Sequence, residues 1–162
     1  MIPNVDLLVE FLNTIDEESL EEELPDDAAA RKWFRVNGLS PKGVDAAEAR
    51  RVRNALRAAA DGRRPPPADL ALVPLQAASG PEGGLALASA HPLGPFVMTA
   101  VTLAVEGRWD RLKICDMHTC RYAFYDTSRN RSGKWCDMAV CGNRAKTRAF
   151  RERHRPSQRL RR

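Results

Sequence analysis

The sequence predicts a mainly α chain with small β elements, an α+β arrangement in which an N-terminal helical domain precedes a small C-terminal module of knuckle, β-hairpin and basic helix. Three observations predict it. Apolar residues recur at helical spacing through much of residues 1–107, and all four cysteines of the 162-residue chain fall in a 27-residue window near its C-terminal end. Charge is also unevenly divided: residues 1–107 hold 10 Lys and Arg against 16 Asp and Glu, a net −6, whereas residues 108–162 hold 16 against 5, a net +11. At 43% hydrophobic content, a chain of this length buries one core with a small module beside it.

Val5, Leu8, Val9 and Leu12 share a helix face and Pro3 suits a first-turn position, so residues 3–14 read as an amphipathic helix ending near Asn13 and Thr14. The acidic run from Asp16 to Glu23 offers little to pack and reads as solvated surface. Asp26 or Asp27 caps a second helix through Trp33, Phe34 and Val36, closed by Gly38. Ser40-Pro41 and Asp45 are the next stop and start. The helix over 46–60 carries Val52, Leu56 and Ala59 on one stripe and Arg50, Arg53 and Arg57 on an adjoining face, and Asp61-Gly62 ends it.

Arg63-Arg64-Pro65-Pro66-Pro67 reads as a stiff linker into a helical segment from Asp69 to Ala78, broken by Gly80-Pro81 and Gly83-Gly84. Leu85 to Ser89 reads as a short strand. From Gly94-Pro95 a helix runs to Val105, apolar around nearly its whole circumference, which marks it as the central buried helix. The final module starts near Arg108. Leu112-Lys113-Ile114 leads into the first cysteine pair and Arg121 to Asp126 leaves it as an aromatic strand. Ser128 to Gly133 is a polar turn and Trp135-Cys136 returns, so a hairpin is expected between the two cysteine pairs. Residues 142–155 have helix-forming composition, and Pro156 stops them. No segment repeats another.

Cys115, Cys120, Cys136 and Cys141 fall as Cys-x4-Cys-x15-Cys-x4-Cys. Two short knuckles joined by a hairpin-sized spacer let four thiolates converge on a tetrahedral zinc ion, at Zn–S distances of roughly 2.3 Å. Two disulfides or free buried thiols are the competing readings. The N-terminal residues show no basic segment followed by an apolar one, and no apolar run is long enough to span a membrane, so a cytoplasmic chain is expected. There thiols stay reduced, and the paired spacing favours metal. Four cysteines leave no open position, so the expected cofactor is one structural Zn²⁺. His118 is a fifth candidate ligand. Trp135, Phe124 and Tyr122 are expected to cover a small zinc core rather than to stack on bases, and residues 108–155 to be disordered without metal.

Cys141 opens the basic helix, where free backbone N–H groups and the positive helix end favour an anionic tetrathiolate. Gly142 suits a close backbone approach, and Asn143 can hold the knuckle by side-chain hydrogen bonds. Arg144, Arg148, Arg151 and Arg155 then share one helix face, with Ala145, Ala149 and Phe150 to the other side. Lys146, Arg153 and the tail Arg159, Arg161 and Arg162 add to the field. Arginines crowded without interposed acids repel one another unless an anion is near, which points to phosphate. Arg144, Lys146, Arg148, Arg151 and Arg155 are therefore the candidate nucleic-acid contacts. With three histidines, no Gly-rich phosphate loop and no HExxH pair, acid–base and hydrolytic chemistry lacks candidates, and no enzyme is expected.

The stretch Arg111-Leu112-Lys113-Ile114-Cys115, Cys120, Phe124 to Asn130, Trp135-Cys136, Met138 and Cys141-Gly142-Asn143-Arg144-Ala145-Lys146 resembles the CGNR-type zinc finger of bacterial proteins, over residues 108–155. Residues 1–107, with Phe11-Leu12-Asn13-Thr14 closing the first helix and Trp33 in the second, resemble the ABATE domain that accompanies this finger. The resemblance implies a stress-related transcriptional regulator with a DNA-binding finger and a sensory or ligand-binding N-terminal domain; residues 156–162 read, from their own composition, as a basic tail. The acidic run Glu17 to Glu23 departs from that pattern and argues against an anionic ligand beside it.

Asn13, Thr14, Arg53 and Arg57 are the polar residues on otherwise packed helices that could line a small-molecule effector pocket. The alternative is that Asn13-Thr14 only terminates its helix and the two arginines pair with nearby acids. DNA is the expected partner, and a regulator that reads a palindrome would be a homodimer. The competing functions are RNA or single-strand binding, with Tyr122, Phe124 or Tyr125 stacked on bases, and a redox-sensitive zinc–thiolate switch.

Overall fold

A computed structural model describes residues 4–80 and 83–154, so the readings made of Pro3, Arg155, Pro156 and the basic tail lie outside the described residues. Helix α1 (Val5–Leu12) starts where Asn4 Oδ1 accepts from the Leu7 amide at 3.0 Å and ends at Asn13, with Leu8, Phe11 and Leu12 buried. The acidic run that follows is exposed from Asp16 to Glu21, as expected of solvated surface, but it is also ordered. It folds into a small antiparallel pair, β1 (Ile15–Asp16) and β2 (Glu21–Glu22), because Asp16 Oδ1 accepts from the Glu18 and Ser19 amides at 2.8 and 3.3 Å and fixes the turn.

Asp26 caps α2 (Asp27–Val36) by accepting from the Ala29 amide, and Gly38, at φ +72°, lies beyond the Asn37 cap. Asp45 caps α3 (Ala46–Ala60) in the same way through Glu48. Both helices keep the boundaries their caps predict.

The expected helix from Asp69 to Ala78 is reduced to one turn, α4 (Pro67–Leu70). Pro74 lacks an amide donor and disfavours helical backbone at Val73, so the chain extends instead. Residues 76–79 become β3 (Gln76–Ser79), paired antiparallel with β4 (Leu85–Ala88) from Gln76–Ala88 to Ser79–Leu85. Helix α5 (Gly94–Val105) follows. Phe96, Val97, Thr99, Ala100 and Leu103 are buried, but the last turn emerges and Val105 is 83% exposed. Phe11 of α1 stacks on Phe96 with ring centres 3.9 Å apart, and Trp33 and Phe34 of α2 close round them, which places the centre of the core.

A 3₁₀ turn (Trp109–Arg111) leads into β5 (Leu112–Ile114), which pairs antiparallel with β6 (Ala123–Tyr125) in register Leu112–Tyr125 and Ile114–Ala123. This corrects the expected hairpin. It does not lie between the cysteine pairs: its loop is the first cysteine knuckle, and among the described residues Trp135-Cys136 forms no strand. The physical reason is burial, since Leu112, Ile114 and Ala123 are at most 6% exposed and join the same core as α1, α3 and α5. A π-helical turn (Met138–Gly142) then opens directly into α6 (Asn143–Arg153), of which no residue is buried. No helix among the described residues is long and apolar enough to cross a membrane.

Candidate functional site

The core-anchored hairpin delivers the first half of a thiol cluster. Strand β5 leads directly into Cys115, whose amide donates to the Tyr122 carbonyl at 2.9 Å, and the chain turns so that the Cys120 and Arg121 amides both donate to the Met117 carbonyl. Arg121 has φ +52°, the left-handed backbone that brings the chain out of so tight a turn. The second half arrives on a loop tied down at two points. The Asp116 amide donates to the Lys134 carbonyl at 2.8 Å, and Asp137 Oδ1 accepts from the Ala139 and Val140 amides to start the π-helical turn that carries Cys141.

The ligand atoms of Cys115, Cys120, Cys136 and Cys141 all lie within 4.8 Å of one another. Cys120 Sγ is 3.6 Å from Cys136 Sγ, which is 3.8 Å from Cys141 Sγ. A tetrahedron with Zn–S bonds of roughly 2.3 Å has sulfur–sulfur edges of roughly 3.8 Å, so these thiols fit one zinc ion. They do not fit disulfides, whose sulfurs stand roughly 2.05 Å apart, and all four cysteines are free. His118 lies outside the quartet, its Nδ1 3.3 Å from an Arg148 guanidinium nitrogen.

Packing so many acidic thiols together has an electrostatic consequence. Burial, with the neighbouring cysteines, pushes Cys136 up and Cys141 up to about 11, whereas Cys115 is lowered, because the Cys136 and Met117 amides outweigh the burial that would raise it. The cluster by itself resists full ionisation. A divalent cation removes that resistance, which is the chemical case for a structural metal.

Cys115 and Cys141 are buried, and Met117, Trp135 and Ala145 pack about the sulfurs. Only Trp135 of the three expected aromatics does so. Tyr122 is 48% exposed and Phe124 half-buried, because alternate residues of β6 point away from the core side that Ala123 and Tyr125 occupy. Asp126, 4% exposed, organises the 128–133 loop: it accepts from Lys113 Nζ at 2.7 Å and from the Ser128 and Gly133 amides at 2.9 and 2.7 Å. Burial alone would raise its pKa, but Lys113 and these amides hold the carboxyl well below the usual carboxylate range. A Cβ at Gly133 would stand 2.8 Å from the Asp126 carboxyl carbon, so glycine is required there. A Cβ at Gly142 would stand 2.5 Å from the Met138 sulfur, so the backbone there is closely covered by that side chain. Asn143 does hold the knuckle, through Nδ2 to the Ala139 carbonyl at 2.9 Å.

The four residues singled out for an effector pocket are brought together, but their polar groups are engaged within the chain. Asn13 acts as an extra strand residue: its Nδ2 donates to the Ala123 carbonyl at 2.9 Å and its Oδ1 accepts from the Ala123 amide at 2.7 Å. Thr14 Oγ1 donates to the Phe11 carbonyl and accepts from Arg53. Arg53, 1% exposed, grips both Glu22 carboxylate oxygens at 2.7 Å. Arg57 donates to the Leu12 carbonyl at 2.8 Å, to Glu17 Oε1 at 2.6 Å and to the Arg121 carbonyl at 2.8 Å. Arg121 in turn pairs with Asp61. The helix-end and ion-pair alternative describes these contacts, and the sequence missed Glu17, Glu22, Asp61 and Arg121 as their partners. An excess of acids beside two arginines on a packed helix was the available signal.

On α6, Arg144, Arg148 and Arg151 are exposed on one side, lining a shallow groove with Val140, Asn143 and Thr147. Lys146 is exposed too, but at about 100° per residue it stands about 200° round the helix from Arg144, so it does not share that face. Arg155 lies outside the described residues. This corrects the reading of an arginine face without interposed acids, since Arg144 pairs with Glu18 at 3.0 Å and Arg148 with Glu152, one turn on along the same helix, at 2.9 Å.

Comparison with known families matches two segments of the chain. Residues 6–109 match the ABATE family, described as "putative stress-induced transcription regulator", and residues 111–154 match the CGNR zinc finger. A comparison with curated proteins gives no match. The expected family pair is present in the expected order, its four cysteines close on one structural zinc, and the chain belongs to the ABATE family with a CGNR zinc finger at its C-terminal end.

Proposed function

We propose that this protein is a transcriptional regulator that binds duplex DNA through α6, in a role of binding and not catalysis. The observation that carries the reading is an eleven-residue helix with no buried residue, rooted in the metal site and presenting Arg144, Arg148 and Arg151 on one side. Such a helix meets the width of a major groove, and its arginines supply phosphate contacts or bidentate hydrogen bonds to guanine. The residue 1–107 net charge of −6 leaves that helix as the route to a polyanion.

The test is a salt titration of duplex binding by the zinc-loaded protein. Four arginines at phosphates, Arg155 included, give a slope of log K against log salt near about −3.6, and each Arg→Ala flattens it by about one unit. Lys146→Ala should change it less. Absence of duplex affinity at low salt would overturn the reading. Exposed Tyr122 favours a second one, single-strand or RNA binding with a base stacked on its ring. Competition between duplex and single strand, repeated on Tyr122→Ala, separates the two.

A further inference from the structure

The acidic hairpin β1–β2 reaches from the N-terminal part of the chain to the basic helix. Glu18, in its turn, pairs with Arg144 Nη1 at 3.0 Å across 126 residues of sequence. An isolated surface pair of this kind, with side chains 52% and 54% exposed, carries little meaning by itself. What gives it meaning is how the hairpin is held. Arg53 and Arg57, nearly buried on α3, grip Glu22 and Glu17 on either side of the turn, and Asp16 fixes the turn through the Glu18 and Ser19 amides. Glu18 is therefore a placed carboxylate, seated on the first arginine of the face that would meet phosphate.

We infer that the β1–β2 hairpin is an internal competitor for the nucleic acid, its Glu18 carboxylate standing where a backbone phosphate would contact Arg144. This rests on α6 being the nucleic-acid surface and adds its regulation. The hairpin is rich in acids beyond what its own anchoring uses: Glu17 and Glu22 are paired with buried arginines and Asp16 holds the turn, whereas Glu21 and Glu23 have no ion-pair partner among the described residues. Duplex binding must displace Glu18 from Arg144, so the free protein is held in a lower-affinity state whose strength depends on the α3 arginines that seat the hairpin.

The experiment is a set of duplex titrations at low salt with the full-length, zinc-loaded protein and Glu18→Gln, Glu21→Gln, Arg144→Ala and Glu18→Gln/Arg144→Ala. Glu18→Gln should tighten binding about two- to fivefold, the scale of an exposed ion pair. Glu21→Gln removes the same charge from the same hairpin without touching Arg144 and should change affinity less than twofold. In the Arg144→Ala background, Glu18→Gln should have no further effect. Equal tightening by Glu18→Gln and Glu21→Gln, or tightening that persists without Arg144, would show general charge repulsion and overturn the inference. Tight duplex binding by the wild type with no gain from Glu18→Gln overturns it while leaving the DNA-binding reading intact. No binding by any variant removes both.

Discussion

Asn13 shows how a single polar side chain joins the two matched parts of the chain. Ala123 is fully buried, and both of its backbone groups are satisfied by the Asn13 amide at 2.7 and 2.9 Å. Asn13→Ala would leave a buried N–H and a buried C=O without partners, at about 1–3 kcal/mol for each group. We expect a loss of about 2–6 kcal/mol in urea unfolding of the zinc-loaded protein, with zinc stoichiometry unchanged at neutral pH. A loss below about 0.5 kcal/mol would show that water replaces the amide. Arg53 and Arg57 belong to the same scale: each sits on α3 with its charge turned inward, and each is neutralised by a glutamate that sequence reasoning assigned to solvent.

Elements marked by local chemistry were legible in the sequence, and those decided by distant partners were not. The caps Asp26 and Asp45, Gly38 and Gly94-Pro95 act on their own neighbours, so α2, α3 and α5 keep their predicted bounds. The four cysteines were equally legible, since ligand chemistry restricts their spacing. The pairing of β6 with β5, and not with Trp135-Cys136, was illegible because it depends on the α1 and α3 surfaces that Leu112, Ile114 and Ala123 cover. That pairing narrows the metal-dependent region from the whole of 108–155. Chelation should release α6 and the 134–142 segment while β5–β6 stays folded in the core. Hydrogen exchange should then show the Ala139–Arg153 amides unprotected in the apo protein, and the β5–β6 ladder amides still protected by a factor of about a hundred or more, the scale of ~3 kcal/mol. Collapse of both regions together would refute it.

At the scale of the whole molecule, sequence families divide near residue 110 but the hydrophobic core does not. Leu112, Ile114 and Ala123 lie in one cluster with Leu8, Phe11, Val52 and Phe96. A chain ending at Gly107 exposes the surface they cover. With about 1.5–3 kcal/mol for each of Leu112 and Ile114, residues 1–107 alone should be at least about 3 kcal/mol less stable than the full chain and bind a hydrophobic dye. An unchanged denaturation midpoint would establish two independent folding units. The uneven charge belongs here too: a net −6 and a net +11 attract within one molecule, and the Arg144–Glu18 pair is one place where they meet.

That the first knuckle is the loop of the β5–β6 hairpin also sets an order of events in time. Cys115 and Cys120 are brought together by a short hairpin, a contact made early because closing a small loop loses little chain entropy. Cys136 and Cys141 must be gathered from across the x15 spacer, a slower closure. Cys115 and Cys120 would then stand on a finished scaffold when Cys136 and Cys141 arrive to complete the four thiols that would hold the zinc, and α6 would fold last.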